Sequence, residues 1–508
     1  MKIQTKRQEE IGVNRSHFLI LVLGVALGGF WPVGGRAEIT LIYHPVMLSE
    51  TIRDNGQVVS QLMVNDSGLE TITAVTVNLV MSSGSADNPM WLGDLYSTLT
   101  FGTASESERV AVLLNRPGVS IVDAWGSGLG SLNVTLDDSG SAPNIYGVTT
   151  GTGTYQSDGR LGVNPYGPGV AYEAGDRNSG LSALQGAWLG SNLFQLLVAD
   201  TQSGGSARFE QWGLSITGTT GVGTLGLSSG SQLVVNSEGA LNNKVTVAGT
   251  TSMSGTGTIA GDISGTGSIK IEGGGTLHLS GSNTYLGDTT VDGGTLIVDA
   301  GGSISESKVI VATLAKLKVN GLVGAVDLDG DLSGSGSVGD LKMKSGSSLN
   351  PGNSPGTLSA TSATWAAGAT YSWEIANALG VAGIDWDLFL VTGTLDLSSL
   401  SAANQLNLVL HSLTMTNYDP LQTYSWKIVQ ADSFIGTGLV AGTDVTQLFA
   451  INGLDFNGGL QPEEGFKVIT DIKDGYAALF LQAVPEPSVF SLIAVSLGAL
   501  ALVRRRRS

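Results

Sequence analysis

The chain has 508 residues, which at roughly 150 residues per domain is enough for about three modules and too many for one hydrophobic core. Charged residues are 13% against a usual ~25%, 73 residues are glycine and 42% are hydrophobic, a composition that favours strands with glycine turns over helices and excludes simple disorder. The formal charge is −18, and residues 1–37 and 485–508 each carry +3, so the body between them carries −24 and repels nucleic acid; the absence of cysteine excludes disulfides, thiolate zinc sites and cysteine nucleophiles.

At the N-terminus Lys2, Lys6, Arg7 and Arg15 precede an apolar run from Phe18 to Phe30, followed by Gly35-Arg36-Ala37. This is the order of a secretory signal peptide, so residues 1–37 read as the leader, with Ala37 as its last residue.

Residues 38–218 hold all the arginines that lie between the two ends, in short apolar stretches divided by turn clusters, which predicts an antiparallel sandwich. Its expected core includes Val75, Val77, Leu79, Val112, Leu114, Leu196, Val198, Leu214 and Ile216. The segments Gly93-Asp94-Leu95, Leu114-Asn115-Arg116, Gly186-Ala187-Trp188, Val198-Ala199-Asp200 and Trp212 to Ile216 together resemble the P domain of subtilisin-like proprotein convertases. That resemblance implies a jelly-roll-like sandwich and, in its loops, calcium candidates at Asp94, Asp137, Asp138 and Asp200.

From 219 to 364 the chain turns rich in Gly, Ser, Thr and Val, and the hexapeptide Ser-Gly-Ser/Thr-Gly-Ser/Thr-Ile/Val occurs at Ser254–Ile259, Ser264–Ile269 and Ser333–Val338. One coil of such short strands buries no apolar face alone, whereas stacked coils do, so a parallel β-helix is predicted. Gly273 to Ala300 resembles the autotransporter-associated β-strand repeat. Asp327, Asp329 and Asp331 have a calcium-loop spacing, but Val338 stands where an EF-hand needs Glu. The GxGxxG matches at Gly221 and Gly334 have no helical pattern after them and read as products of the Gly/Ser repetition.

Residues 365–483 regain aromatics among alternating apolar runs and are expected to form a β-module capping the solenoid, whose open end would otherwise expose ladder edges.

The tail 484–508 contains Pro485-Glu486-Pro487, an uncharged run from Val489 to Val503 and Arg504, Arg505, Arg506 and Arg507. The run spans about 22 Å as a helix, short for a ~30 Å hydrocarbon core, and the arginines hold its end on the cytoplasmic side. Triplet, run and basic block in this order resemble the PEP-CTERM sorting signal of Gram-negative bacteria. The resemblance implies export through the inner membrane, transient anchoring through residues 489–503 and removal of the tail by an exosortase.

Catalytic patterns are sparse. No arginine lies between Arg208 and Arg504, and His17, His44, His278 and His411 are far apart in sequence. Asp385 and Asp387 share a face if they lie on a strand and mark a turn otherwise. The expected fold is therefore all-β: sandwich, parallel β-helix, β-cap and one C-terminal hydrophobic helix. The expected function is that of an exported, non-catalytic structural or adhesive protein of the cell surface or extracellular matrix. A carbohydrate-binding surface protein is the second reading, with Trp91, Trp125 and Tyr166 as sugar platforms and extracellular polysaccharide as partner. No cofactor is expected apart from the calcium candidates.

Overall fold

The computed structural model describes residues 38–485 except 65–67, 85–89, 104–107, 121, 124, 163–176, 189–192, 222, 237–239, 460, 463–464 and 474. Among the described residues every regular element is a strand or a 3-10 turn of three or four residues. The expected hydrophobic helix at 489–503 lies outside the described residues, within which no helix is long and apolar enough to cross a membrane.

Two antiparallel sheets face each other in the N-terminal part. One orders Gln57–Met63, Leu193–Asp200, Leu95–Phe101 and Arg109–Asn115. In the other, Leu69–Ser83 lies between Ala207–Thr220 and Ser131–Asp137. Alternation along these strands places one face inward, and all nine core residues expected from the sequence are buried. The Trp212 indole N–H donates to Ser60 Oγ across the two sheets at 2.8 Å, and Phe101 stacks on Phe194 with centroids 4.4 Å apart.

The long strand Glu38–Ile52 joins this region to the next. Its residues Ile39 to Tyr43 pair antiparallel with Ala207–Thr220 on one side and with Ser231–Val235 on the other. Ser231–Val235 in turn pairs parallel with Thr251–Gly255. The switch from antiparallel to parallel pairing thus occurs at one strand, and the first edge of this parallel ladder is covered.

Beyond it the chain winds in parallel coils of about 20 residues. Thr251 stands beside Ile269, Ile269 beside Thr289 and Thr289 beside Val309. Side chains one coil apart stack in register. Leu277, Leu296, Leu317, Leu332 and Leu349 form one buried row that continues through Tyr371 and Leu408. Ile271, Val291, Val311, Leu328, Met343 and Trp365 form another. Burying each such side chain contributes about 1.5–3 kcal/mol before chain entropy is subtracted.

The hexapeptides are corners of these coils. Gly255, Gly265 and Gly334 have φ of +97°, +115° and +112°, and a Cβ on each would lie 2.1–2.2 Å from the carbonyl oxygen of Val235, Val247 or Val319 on the preceding coil. Only glycine combines that backbone conformation with that approach.

Parallel pairing continues past residue 364. Thr357–Trp365 pairs parallel with Leu388–Val391 and Thr394–Asp396, and these pair parallel with Tyr424–Ala431 and Ser433–Ile435. Each later coil spends more chain, and buried Trp365, Trp373, Phe389, Trp426 and Phe456 fill the wider interior. Antiparallel closure is confined to the hairpin of Phe466–Lys473 and Tyr476–Ala483, which lies along Tyr424–Ala431.

Candidate functional site

Ala37, Glu486, Pro487 and the arginines at 504–507 lie outside the described residues, as does Tyr166. Pro485 follows directly on the closing hairpin, whose Val484 N–H still donates to Gly465 O.

The four loop aspartates divide into two pairs. Asp137 accepts from the Ser139 N–H and hydroxyl, and Asp138 accepts from the Ser157 N–H and hydroxyl, so both hold loops. Asp94 and Asp200 come together in the buried end of the sandwich. Asp200 stands beside Leu95 in the sheet, and the Thr201 N–H donates to Asp94 O at 2.7 Å. Asp200 accepts from the Gln202 N–H, whereas neither carboxylate oxygen of Asp94 has a hydrogen-bond partner among the described residues. Burial, reinforced by the Asp200 charge and opposed by Arg116, pushes the Asp94 carboxyl up to about 7; burial pushes Asp200 up to about 6.

Calcium takes roughly six to eight oxygen ligands. Among the described residues no three His, Asp or Glu side chains are placed to hold one metal ion. In the calcium-like spacing further on, Asp327 and Asp329 are 2.6 Å from the ammonium groups of Lys308 and Lys344.

Trp91 and Trp125 are neighbours, with centroids 6.4 Å apart, but their planes are tilted by 47° and Trp125 is the more exposed. They do not form one flat platform. The histidines expected to be isolated have acidic neighbours across the coils: His278 Nδ1 is 2.9 Å from Asp299 and His411 Nδ1 is 3.9 Å from Asp455.

A cleft of about 220 Å³ lies on the outer face of the coils, lined by Lys318, Ser333, Asn350, Asn353, Ser372, Glu374 and Asp387 among others. Because Leu317, Leu332, Leu349 and Tyr371 point inward, the residues that follow them point outward. Lys318 stands beside Ser333 and Ser333 beside Asn350; Ser372 comes next, since Leu349 pairs with Tyr371. The turn Gly352 to Gly356 bounds this row. A Cβ on Gly352, whose φ is +88°, would lie 2.3 Å from Gly356 N, so the turn closes on itself only with glycine there.

Asp387 fixes the far wall. Its carboxylate accepts from Gly356 N–H at 2.8 Å and Glu374 N–H at 2.9 Å, its carbonyl accepts from the Trp373 indole, and its own N–H donates to Glu374 O. Burial pushes its carboxyl up to about 7, partly offset by the two backbone N–H groups. Each oxygen accepts one of these bonds and the residue is buried, so Asp387 holds the wall in place. Of the two readings of Asp385 and Asp387, a shared strand face or a turn, the structure has the turn, in which Asp385 accepts from Val381 N–H. Lys318 and Glu374 carried no sequence signal, since they come from separate coils.

A family model described as Passenger-associated-transport-repeat matches residues 272–298, the stretch that resembles the autotransporter-associated repeat. No curated protein matches the chain. The matched segment explains its own pattern. Asn283 is buried and its Oδ1 accepts the Ile263 N–H of the preceding coil at 2.8 Å. The buried Tyr285 hydroxyl meets Thr289 Oγ1 at 2.5 Å, and Thr289 meets Ser307 Oγ of the next coil at 2.8 Å. The polar residues of the repeat satisfy buried groups between coils, which is a stacking function.

Proposed function

We propose that the chain is an exported, non-catalytic surface or matrix protein, with the coils as a scaffold and the tail as a sorting signal. The observation that carries this reading is the inward use of the repeat: Asn283 bonds to the coil before it, and Tyr285 bonds Thr289, which bonds Ser307 of the next coil. The repeat match supports a passenger-like, surface-exposed protein. The order of Pro485 to Pro487, Val489 to Val503 and Arg504 to Arg507 supports transient anchoring and exosortase processing. The P-domain resemblance supports a sandwich used as a spacer or adhesive module, and extracellular polysaccharide is its natural surrounding. The engagement of both Asp387 oxygens supports the non-catalytic part.

The test is fractionation of the native host with surface proteolysis. Wild-type protein is expected at the surface or in the medium, shortened at its C-terminus. Replacement of Pro485, Glu486 and Pro487 by alanine is expected to leave a full-length membrane-bound form. Equal size and equal membrane retention of both forms would make the tail a plain anchor.

A further inference from the structure

The outer cleft has a polar lining drawn from successive coils and a wall fixed by Asp387, and the scaffold reading leaves it without a role. We infer that it is a subsite for one unit of a neutral sugar polymer, an inference that rests on surface display and gives the surrounding polysaccharide a point of attachment.

The lining is chemically mixed in the way a polyol requires. The Asn353 amide spends both hydrogens on Asn320 Oδ1 and Ser335 Oγ and leaves its oxygen as an acceptor, Asn350 keeps an acceptor and the hydrogen not given to Ser348 Oγ, the hydroxyls of Ser333 and Ser372 do both, Lys318 only donates, and the Glu374 carboxylate only accepts. Lys318 makes no ion pair among the described residues, and Glu374 Oε2 accepts from Ser354 Oγ at 2.5 Å, which holds the carboxylate at the edge of the cleft. An anionic ligand would meet Glu374 and a net charge of −18. A bare metal ion lacks the three convergent His, Asp or Glu groups.

Size and spacing agree with this chemistry. A volume of about 220 Å³ is below the roughly 300–1,000 Å³ of a drug-sized pocket, and suits a single ring. Lys318, Ser333 and Asn350 sit one coil apart, so their polar groups recur at about 4.8 Å. All three line the one cleft, so a single ring seated in it meets polar groups from neighbouring coils at once. No aromatic ring lines the cleft, so recognition here runs through hydrogen bonds, in contrast to a stacking platform at Trp91 and Trp125.

Purified full-length protein would be titrated with neutral hexamers of glucose, mannose, galactose and xylose, and with polygalacturonate as the anionic probe, followed by saturation-transfer NMR. Wild type should bind at least one neutral hexamer in preference to polygalacturonate. Ser372→Trp, which fills the cleft, and Asn350→Ala should each weaken it tenfold or more, while Trp125→Ala leaves it unchanged. Glu374→Gln keeps the shape and serves as a third variant if Ser372→Trp does not fold, a point checked by thermal melting. Binding unaffected by the cleft variants, binding lost only in Trp125→Ala, preference for polygalacturonate, or no binding by wild type would each overturn the inference. Surface display is read separately in cells, so failure of binding and failure of display are distinguishable.

Discussion

Asn283 Oδ1 accepts the backbone N–H of Ile263 at 2.8 Å, tying one coil of the solenoid to the coil before it, while its amide nitrogen donates to Gly281 O. A buried side chain here does the work of a backbone ladder at a corner where strand pairing is interrupted. Tyr285, two residues on, does the same with Thr289 and, through it, Ser307.

These bonds predict a graded loss of stability. Asn283→Ala leaves a buried N–H without a partner and should cost about 1–3 kcal/mol, whereas Tyr285→Phe removes a hydroxyl whose net contribution is about 1 kcal/mol. Urea titration of both variants checks the order. A Tyr285→Phe loss equal to or above that of Asn283→Ala would contradict the assignment of Asn283 as the more important tie.

The corner glycines predict a sharper effect. Alanine at Gly265 would combine a φ of +115° with a Cβ 2.2 Å from Val247 O, so the coil must deform. A destabilisation of about 3 kcal/mol or more is expected from strain and overpacking together. Gly274→Ala, at a position with open space and no positive φ, should stay within about 0.5 kcal/mol of wild type. Comparable melting temperatures for the two variants would refute the corner geometry.

The buried carboxyls predict the pH dependence. Asp94 and Asp387 both titrate near about 7 in the folded chain, well above the ordinary carboxyl value of the unfolded one, because burial disfavours their charge. The folded state therefore holds protons that the unfolded state releases. Their contribution to stability is complete below about pH 4 and is lost as pH rises through about 7. Asp94→Asn removes this loss at one site and should raise the melting temperature at pH 8 by roughly 2–5 °C, with little gain at pH 4. Asp387→Asn should destabilise at both values, since the amide keeps one accepting oxygen and puts a donor-only nitrogen against either Gly356 N–H or Glu374 N–H. Calorimetry at the two pH values separates these outcomes.

The all-β class, the parallel coils and their aliphatic rows were legible in the sequence, because each is a local or periodic property: alternation sets which side chains turn inward, and Gly before a strand marks a corner. The hexapeptides show why, since Gly255, Gly265 and Gly334 meet the same neighbour on the preceding coil. Three things were decided only by tertiary structure. The coils run on past residue 364, because the larger rings of Trp365, Trp373 and Trp426 fill wider coils whose spacing no short repeat reveals. Asp94 meets Asp200 and leaves Asp137 and Asp138 to their loops, because sheet pairing places Asp200 beside Leu95. The cleft joins Lys318, Asn350 and Glu374 from different coils, and their proximity follows from coil register, which depends on the length of every loop between them.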